Sequence, residues 1–256
     1  SQEMPGDLSA AGPGDVYPGD YDLVGLAMQE PQFGATDVRD LLDRVAAAGV
    51  PCMSIMNMPP LAYLRRIPSI DAEGLKGSYT DPDAWDGFDP ALITLCSPDP
   101  QAFRPPDEKV NVLQVGLPTN FKVARFDSDR HTGVLRQLES DIQEIRFDVK
   151  GTEVELPVKL RVHDSVFVPL AKWSMLMAGN YRCVEKDAMR PIKEAVHSDL
   201  AATESVYEWV VDLCVKLGAD RGDLVPFEKY ANAALSLVNP SSAARALANG
   251  ALNIER

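Results

Sequence analysis

A glycine-rich G-x-G-x-x-G turn is missing from all 256 residues, and so is any C-x-x-C pair. The first absence removes the usual pyrophosphate cradle of a dinucleotide-binding fold. The second, with Cys52, Cys96, Cys183 and Cys214 scattered and no His at ligand spacing, argues against a metal site or a disulfide framework. The thiols are expected to be reduced and buried, in a cytoplasmic protein with no metal. Positive charge is also scarce: 25 Lys and Arg face 38 Asp and Glu, a formal net charge of −13. That balance argues against nucleic acid and anionic membranes as partners, since both need surplus cations. It leaves room for a local basic pocket. No apolar run approaches the roughly 20 residues that span a bilayer. The first 20 residues lack the basic-then-apolar order of a signal peptide. Neither an internal repeat nor a low-complexity run is present. Apolar residues at 45% and charged residues at 25% are those of a soluble globular chain with ample core.

What is present organises around Tyr21 to Pro60. The run 22–28, Asp-Leu-Val-Gly-Leu-Ala-Met, reads as a buried strand, followed by a polar turn over 29–34. Residues 36–48 have Val38, Leu41, Leu42 and Val45 on one helical face, with Thr36 as N-cap and Gly49 as the stop. A second apolar run, 50–56, ends in Asn57-Met58-Pro59-Pro60. Strand, helix and strand with short links form a right-handed β-α-β unit of a parallel sheet. Ligands in such sheets gather at the carboxyl ends of the strands, where Gln29 and Asn57 lie.

Before this unit, residues 1–20 form a loop or tail rich in Gly and Pro. After it come a short helix over 61–66, a turn-rich crossover over 71–89 and strands over 91–96 and 110–115. Residues 116–122 then lead out of the last strand. The spacing of Val134, Leu135, Leu138 and Ile142 predicts a helix over 129–145, and β segments over 146–149 and 153–162 join at Lys150-Gly151. Beyond His163 the pattern is helical: 166–180, 198–217 with Gly218 as its cap, 224–238, and a last helix opened by Asn239 and Pro240. The expected boundaries are therefore 21–162 for an α/β domain and 163–256 for an all-α domain.

In their order and spacing, three stretches resemble the ketopantoate reductase (2-dehydropantoate 2-reductase) family. They are residues 22–32, residues 53–58 ending near Asn57, and the segment 172–180 taken with Pro240-Ser241-Ser242 and Glu255. The resemblance implies an incomplete Rossmann-like parallel sheet domain, lacking its first β-α-β unit, and a helical C-terminal domain like that of 6-phosphogluconate dehydrogenase. It also implies an NADP- or NAD-dependent oxidoreductase that reduces a small 2-keto acid to a 2-hydroxy acid, and a chain that can form a homodimer. Lys172 and Asn180 would then be catalytic. Gln29, Asn57 and Glu255 would meet the cofactor, and Asn57, Asn180, Ser241 and Ser242 the substrate.

Departures from the family pattern are specific. Gln29 and Met175 stand where the family has lysines, and the second of those lysines is the expected general acid. Lys172, one turn earlier, lies on nearly the same face. Gly179 stands in register with the family Asn, and Asn180 follows it. Each candidate also has a structural reading: turn capping for Asn57, a hinge lysine for Lys172, a helix end for Asn180. Ser241 and Ser242 serve equally as first-turn residues, and Glu255 as a solvated acid. His163 and Asp164 are adjacent on an extended segment, so they point apart and are read as structural. His131 and His197 fall on polar helix faces and are expected to face solvent. The rival reading is a cofactor-free module that binds a small acid or a protein partner; in a further one, an upstream segment supplies the missing turn.

Overall fold

The computed structural model describes residues 11–97, 102–103, 114–115 and 119–252. Their strands, in chain order, are β1 (Val24–Leu26), β2 (Cys52–Ile55), β3 (Ile93–Ser97), β4 (Ala102–Phe103), β5 (Gln114–Val115), β6 (Thr119–Ala124), β7 (Arg146–Val149), β8 (Thr152–Glu155) and β9 (Val158–His163). Five of them form one sheet in the order β1-β2-β3-β6-β9. β1, β2 and β3 pair in parallel, and so do β6 and β9. β3 meets β6 antiparallel, through Cys96 opposite Val123 and Ser97 opposite Lys122. The all-parallel sheet expected from the sequence is thereby corrected to a mixed one. The reason lies in β6: residues 119–122, part of the segment read as an exit from a strand, belong to a strand that runs to residue 124, with Val123 and Ala124 fully buried. Of the strand expected over 110–115, only β5 falls within the described residues.

Strand direction decides where the helices go. Helix α1 (Thr36–Ala48) links β1 to β2, and α2 (Leu61–Leu64) lies between β2 and β3. Right-handed crossovers that step sideways in one sense place both connections on one face of the sheet. Accordingly Leu42 and Val45 of α1 and Leu61 of α2 share a core cluster with Leu26, Cys52, Ile93 and Leu95. β6 and β9 run the other way while the sideways step continues, so their crossover helix, α3 (Asp129–Glu144), belongs on the opposite face. Leu135 of α3 packs there with Met53, Cys96, Val123, Leu160 and Val162. The result is an α/β sheet covered on both sides.

Local chemistry fixes these elements. Gly49 ends α1 at φ 62° in the left-handed region, which a residue without Cβ adopts at no steric penalty. Ala35, not Thr36, holds the N-cap position, and no side chain caps that end. Ser128 does cap α3, accepting the His131 N–H at 3.2 Å. Lys150 (φ 55°) and Gly151 (φ 85°) make the tight turn of the β7–β8 hairpin. Buried hydroxyls stitch the sheet: Ser54 donates to the Thr94 carbonyl at 2.8 Å, and Thr94 to the Ala124 carbonyl at 2.6 Å. Arg66, almost wholly buried, closes one end by donating to the carbonyls of Ile93 and Arg125 and to Asp127. The described part of the expected tail, residues 11–20, contains two turns. Its turns at Pro13–Asp15 and Pro18–Asp20 pack on α1, where Arg44 donates to the carbonyls of Pro13 and Val16.

The helical half contains α4 (Lys172–Met175), a π-turn over Leu176–Asn180, α5 (Ile192–His197), α6 (Leu200–Lys216), α7 (Phe227–Ala234) and α8 (Ser242–Ala248). The helix expected over 166–180 is thus broken into a 3-10 turn (Pro169–Ala171), α4 and the π-turn. Helix α8 is capped by Ser241, whose hydroxyl accepts the Ala244 N–H, and not by Asn239. The large core cluster runs without interruption from Leu26 to Ala234, across His163. No helix among the described residues is long and apolar enough to cross a membrane.

Candidate functional site

The carboxyl ends of β1, β2 and β3 share one edge of the sheet. After β1 the chain enters a 3-10 turn, Glu30–Gly34, in which the Gln29 N–H donates to Gln32 Oε1 at 2.9 Å and the Gln29 residue is exposed. Glu30 is only 2% exposed and takes both the N–H and the hydroxyl of Thr80 on its carboxylate, at 2.5 and 2.8 Å. A phosphate needs converging N–H donors at such a turn. This turn offers a buried negative charge and Pro31, so its residues do not fit a dinucleotide pyrophosphate.

One strand over, Asn57 is half-buried just past β2, ahead of Pro59, whose carbonyl accepts the Tyr79 hydroxyl. At the end of β3, Ser97 is buried and lies beside Lys122 of β6 in register. Side chains alternate along a strand. Ser97 therefore shares a face with Ile93 and Leu95, and Lys122 with Ala124, on the side where the helical half packs. The turn Pro169–Ala171 rests on β3 and β6 on that same side, and half-buried Lys172 follows it directly. Burial raises the Cys96 thiol pKa to about 12, and the Lys172 ammonium pulls against that rise. Lys172 is carried next to the turn that packs on β3 and β6. Asn57 just past β2, Ser97 and Lys122 at the β3–β6 junction, and Lys172 after the turn that packs on β3 and β6 are the polar and cationic candidates of this region, on a chain of net charge −13. Sequence reasoning missed Ser97 and Lys122 because the antiparallel β3–β6 junction that pairs them was not legible.

The other expected residues lie apart. Asn180 closes the π-turn, and its carbonyl accepts the Ser241 hydroxyl at 2.6 Å. That hydroxyl has one proton to donate, and it is used there. Ser242 is exposed in the first turn of α8, and Glu255 lies outside the described residues. At about 1.5 Å per residue, Asn180 is roughly 12 Å along the axis from Lys172, whose side chain leans toward the helix start. Of the seven candidates, Asn180 and Ser241 are brought together at a helix end, while Asn57 and Lys172 lie on the sheet side of the molecule and Gln29 and Ser242 at the surface. Gly179 is required where it stands: a Cβ there would lie 1.9 Å from the Tyr230 hydroxyl, which donates to the Met175 carbonyl.

All four cysteines are free and buried. Burial raises the thiol pKa values, to about 12 for Cys52 and about 11 for Cys214. These are packing thiols, not nucleophiles. His163 is held below the ordinary imidazole range by burial first and by Lys122 next, and its buried Nε2 has no hydrogen-bond partner. Asp164 turns away to Arg136 at 3.3 Å. His197 is not solvent-facing: it is half-buried, with Nε2 3.0 Å from the Ala231 carbonyl. Among the described residues no cluster of His, Cys, Asp and Glu could hold a metal ion.

No family model matches the chain, and no curated protein or solved structure is similar enough to count as a relative. The resemblance to ketopantoate reductases therefore rests on its three sequence stretches.

Proposed function

We propose that the protein binds a small organic acid at the carboxyl edge of β1–β3, with Lys172 supplying the cation that meets the carboxylate or keto oxygen. The observation that carries this reading is the seat of Lys172: the turn before it is packed on β3 and β6. Lys122 and Ser97 add a second cation and a hydroxyl on the same face, and Asn57 an amide past the next strand. Two unit charges 4 Å apart near a protein surface attract by about 4 kcal/mol. A single contact of that size corresponds to millimolar affinity. This is the cofactor-free reading of the edge, and the acidic turn at Glu30 supports it over a nucleotide.

The reductase reading is a second proposal. In it the chain is an incomplete Rossmann-like domain with a domain like that of 6-phosphogluconate dehydrogenase, and it reduces a 2-keto acid with a nicotinamide cofactor. One feature favours it. A π-turn is a one-residue insertion in a helix, so Asn180 takes the angular place that residue 179 would hold in a regular helix. That is the place of the Asn in the family that the sequence resembles.

Thermal-shift titrations separate the two. Millimolar 2-keto or 2-hydroxy acids should raise the melting temperature of the wild type and leave Lys172→Ala unmoved. A shift with NADPH would move the conclusion to the reductase; no shift with any acid at tens of millimolar would sink both.

A further inference from the structure

Helix α6 is apolar on more than its buried face. Thr203, Tyr207, Val210, Val211 and Cys214 point into the protein. Roughly 100° around the helix from them, at 3.6 residues per turn, runs a second stripe: Ala202, Val206, Trp209 and Leu213. Ala202 is exposed, Val206 is half-buried, and Trp209 is 63% and Leu213 37% exposed. The spacing alternates between four and three residues, the seam of a helix that packs on another helix. Continued outward by three residues at each end, it reaches Asp199 and Lys216.

We infer that this stripe is a docking seam for a second copy of this chain, in antiparallel two-fold register. An axis between Tyr207 and Glu208 sets Val206 against Trp209 of the second copy, Ala202 against Leu213, and Asp199 against Lys216. Every apolar residue meets an apolar one, and the ends meet as opposite charges. A two-fold interface must be self-complementary in this way. A parallel pairing would instead oppose Asp199 to Asp199 and Lys216 to Lys216. Asp199 already caps α6, accepting the Ala202 N–H at 2.9 Å, and a lysine at the last turn suits the helix dipole. Those local roles account for the two ends and leave the exposed Trp209 and Leu213 unexplained. The pairing accounts for both, and antiparallel dipoles favour it. A contact about four turns long lies at the small end of specific interfaces, below roughly 1,200 Å² in total, so the dimer forms and dissociates readily. The inference is independent of the acid-binding edge.

Sedimentation velocity over a concentration series tests it. The wild-type chain should pass from monomer to dimer, and Trp209→Glu should weaken association at least about thirtyfold, the loss of a central Trp anchor. Trp209 is exposed, so this variant should keep its fold by circular dichroism. In an Ala202→Cys/Leu213→Cys chain, mild oxidation should give the cross-link from 202 of one copy to 213 of the other, because the native thiols are buried. A monomer at every concentration up to about a millimolar, a dimer indifferent to Trp209→Glu, or cross-links joining 202 to 202 would each overturn the seam.

Discussion

Replacing Gly179 by Ala tests how the π-turn is built. The added Cβ would lie 1.9 Å from the Tyr230 hydroxyl and 3.0 Å from Val196 Cγ2. Neither neighbour can yield easily. The Tyr230 ring is buried and stacked on Tyr207 at 5.3 Å, and its hydroxyl is committed to the Met175 carbonyl at 3.2 Å. Overpacking of a filled core costs about 1–3 kcal/mol, and displacing a buried hydrogen bond about 1 kcal/mol more. The sum, about 2–4 kcal/mol, lowers the melting temperature of a chain of this size by roughly 5–15 °C. Tyr230→Phe removes the offending oxygen and should itself cost about 1 kcal/mol. In that background Gly179→Ala should be cheaper by about 1 kcal/mol or more, a coupling that a double-mutant cycle in urea reads directly. If Gly179→Ala costs less than about 0.5 kcal/mol, or costs the same in both backgrounds, the close approach of Tyr230 is not what holds the turn.

Three further outcomes follow from the same packing. Leu42→Ala removes a side chain with no exposure at the α1–sheet contact and should lower unfolding free energy by about 2–5 kcal/mol in urea. Glu30→Gln puts an amide where a buried carboxylate now accepts two hydrogen bonds from Thr80; about 1–3 kcal/mol of stability should go, with the acid-induced melting shift intact. His163 is depressed below its unfolded value by burial and by Lys122. Below about pH 6.5 the unfolded chain therefore binds a proton that the native chain does not. Stability from this group is full above that pH and declines as pH falls below it, levelling off once the native imidazole is also protonated. Melting temperatures from pH 8 to 5 should show this decline, and His163→Gln should flatten it; an unchanged profile would remove His163 as the cause.

The sequence was legible where the signal is local. The stripe of Val38, Leu41, Leu42 and Val45, the stop at Gly49, the helix over 129–144 and the turn at Lys150-Gly151 depend on residues within a few positions of one another, and the fold keeps them. Burial of all four thiols also follows from residue type. What was not legible depends on distant partners. Thr119–Ala124 follows a proline and carries Asn and Lys, so nothing local marks it as an interior strand; its pairing with β3 and β9 does. The mixed sheet followed from that one omission. At the π-turn Tyr230, some fifty residues away, approaches Gly179 and donates to the Met175 carbonyl, and periodicity alone reads the segment as plain helix. In the same way the role of Ser241 depends on the Asn180 carbonyl, and that of His197 on Ala231. Asn57 is a candidate because strand ends carry ligands in α/β sheets, and Lys172 because it stands one turn before Met175 in the segment that carries the family resemblance. Lys122 and Ser97 could join them only once the antiparallel junction was known.

The central claim, a small-acid site governed by Lys172, is most directly tested by isothermal titration of a 2-keto acid into wild type, Lys172→Ala and Lys122→Ala. Wild type should bind with a dissociation constant near a millimolar, Lys172→Ala should show no heat of binding, and Lys122→Ala should be weakened. Equal affinity in wild type and Lys172→Ala would contradict the assignment of the site.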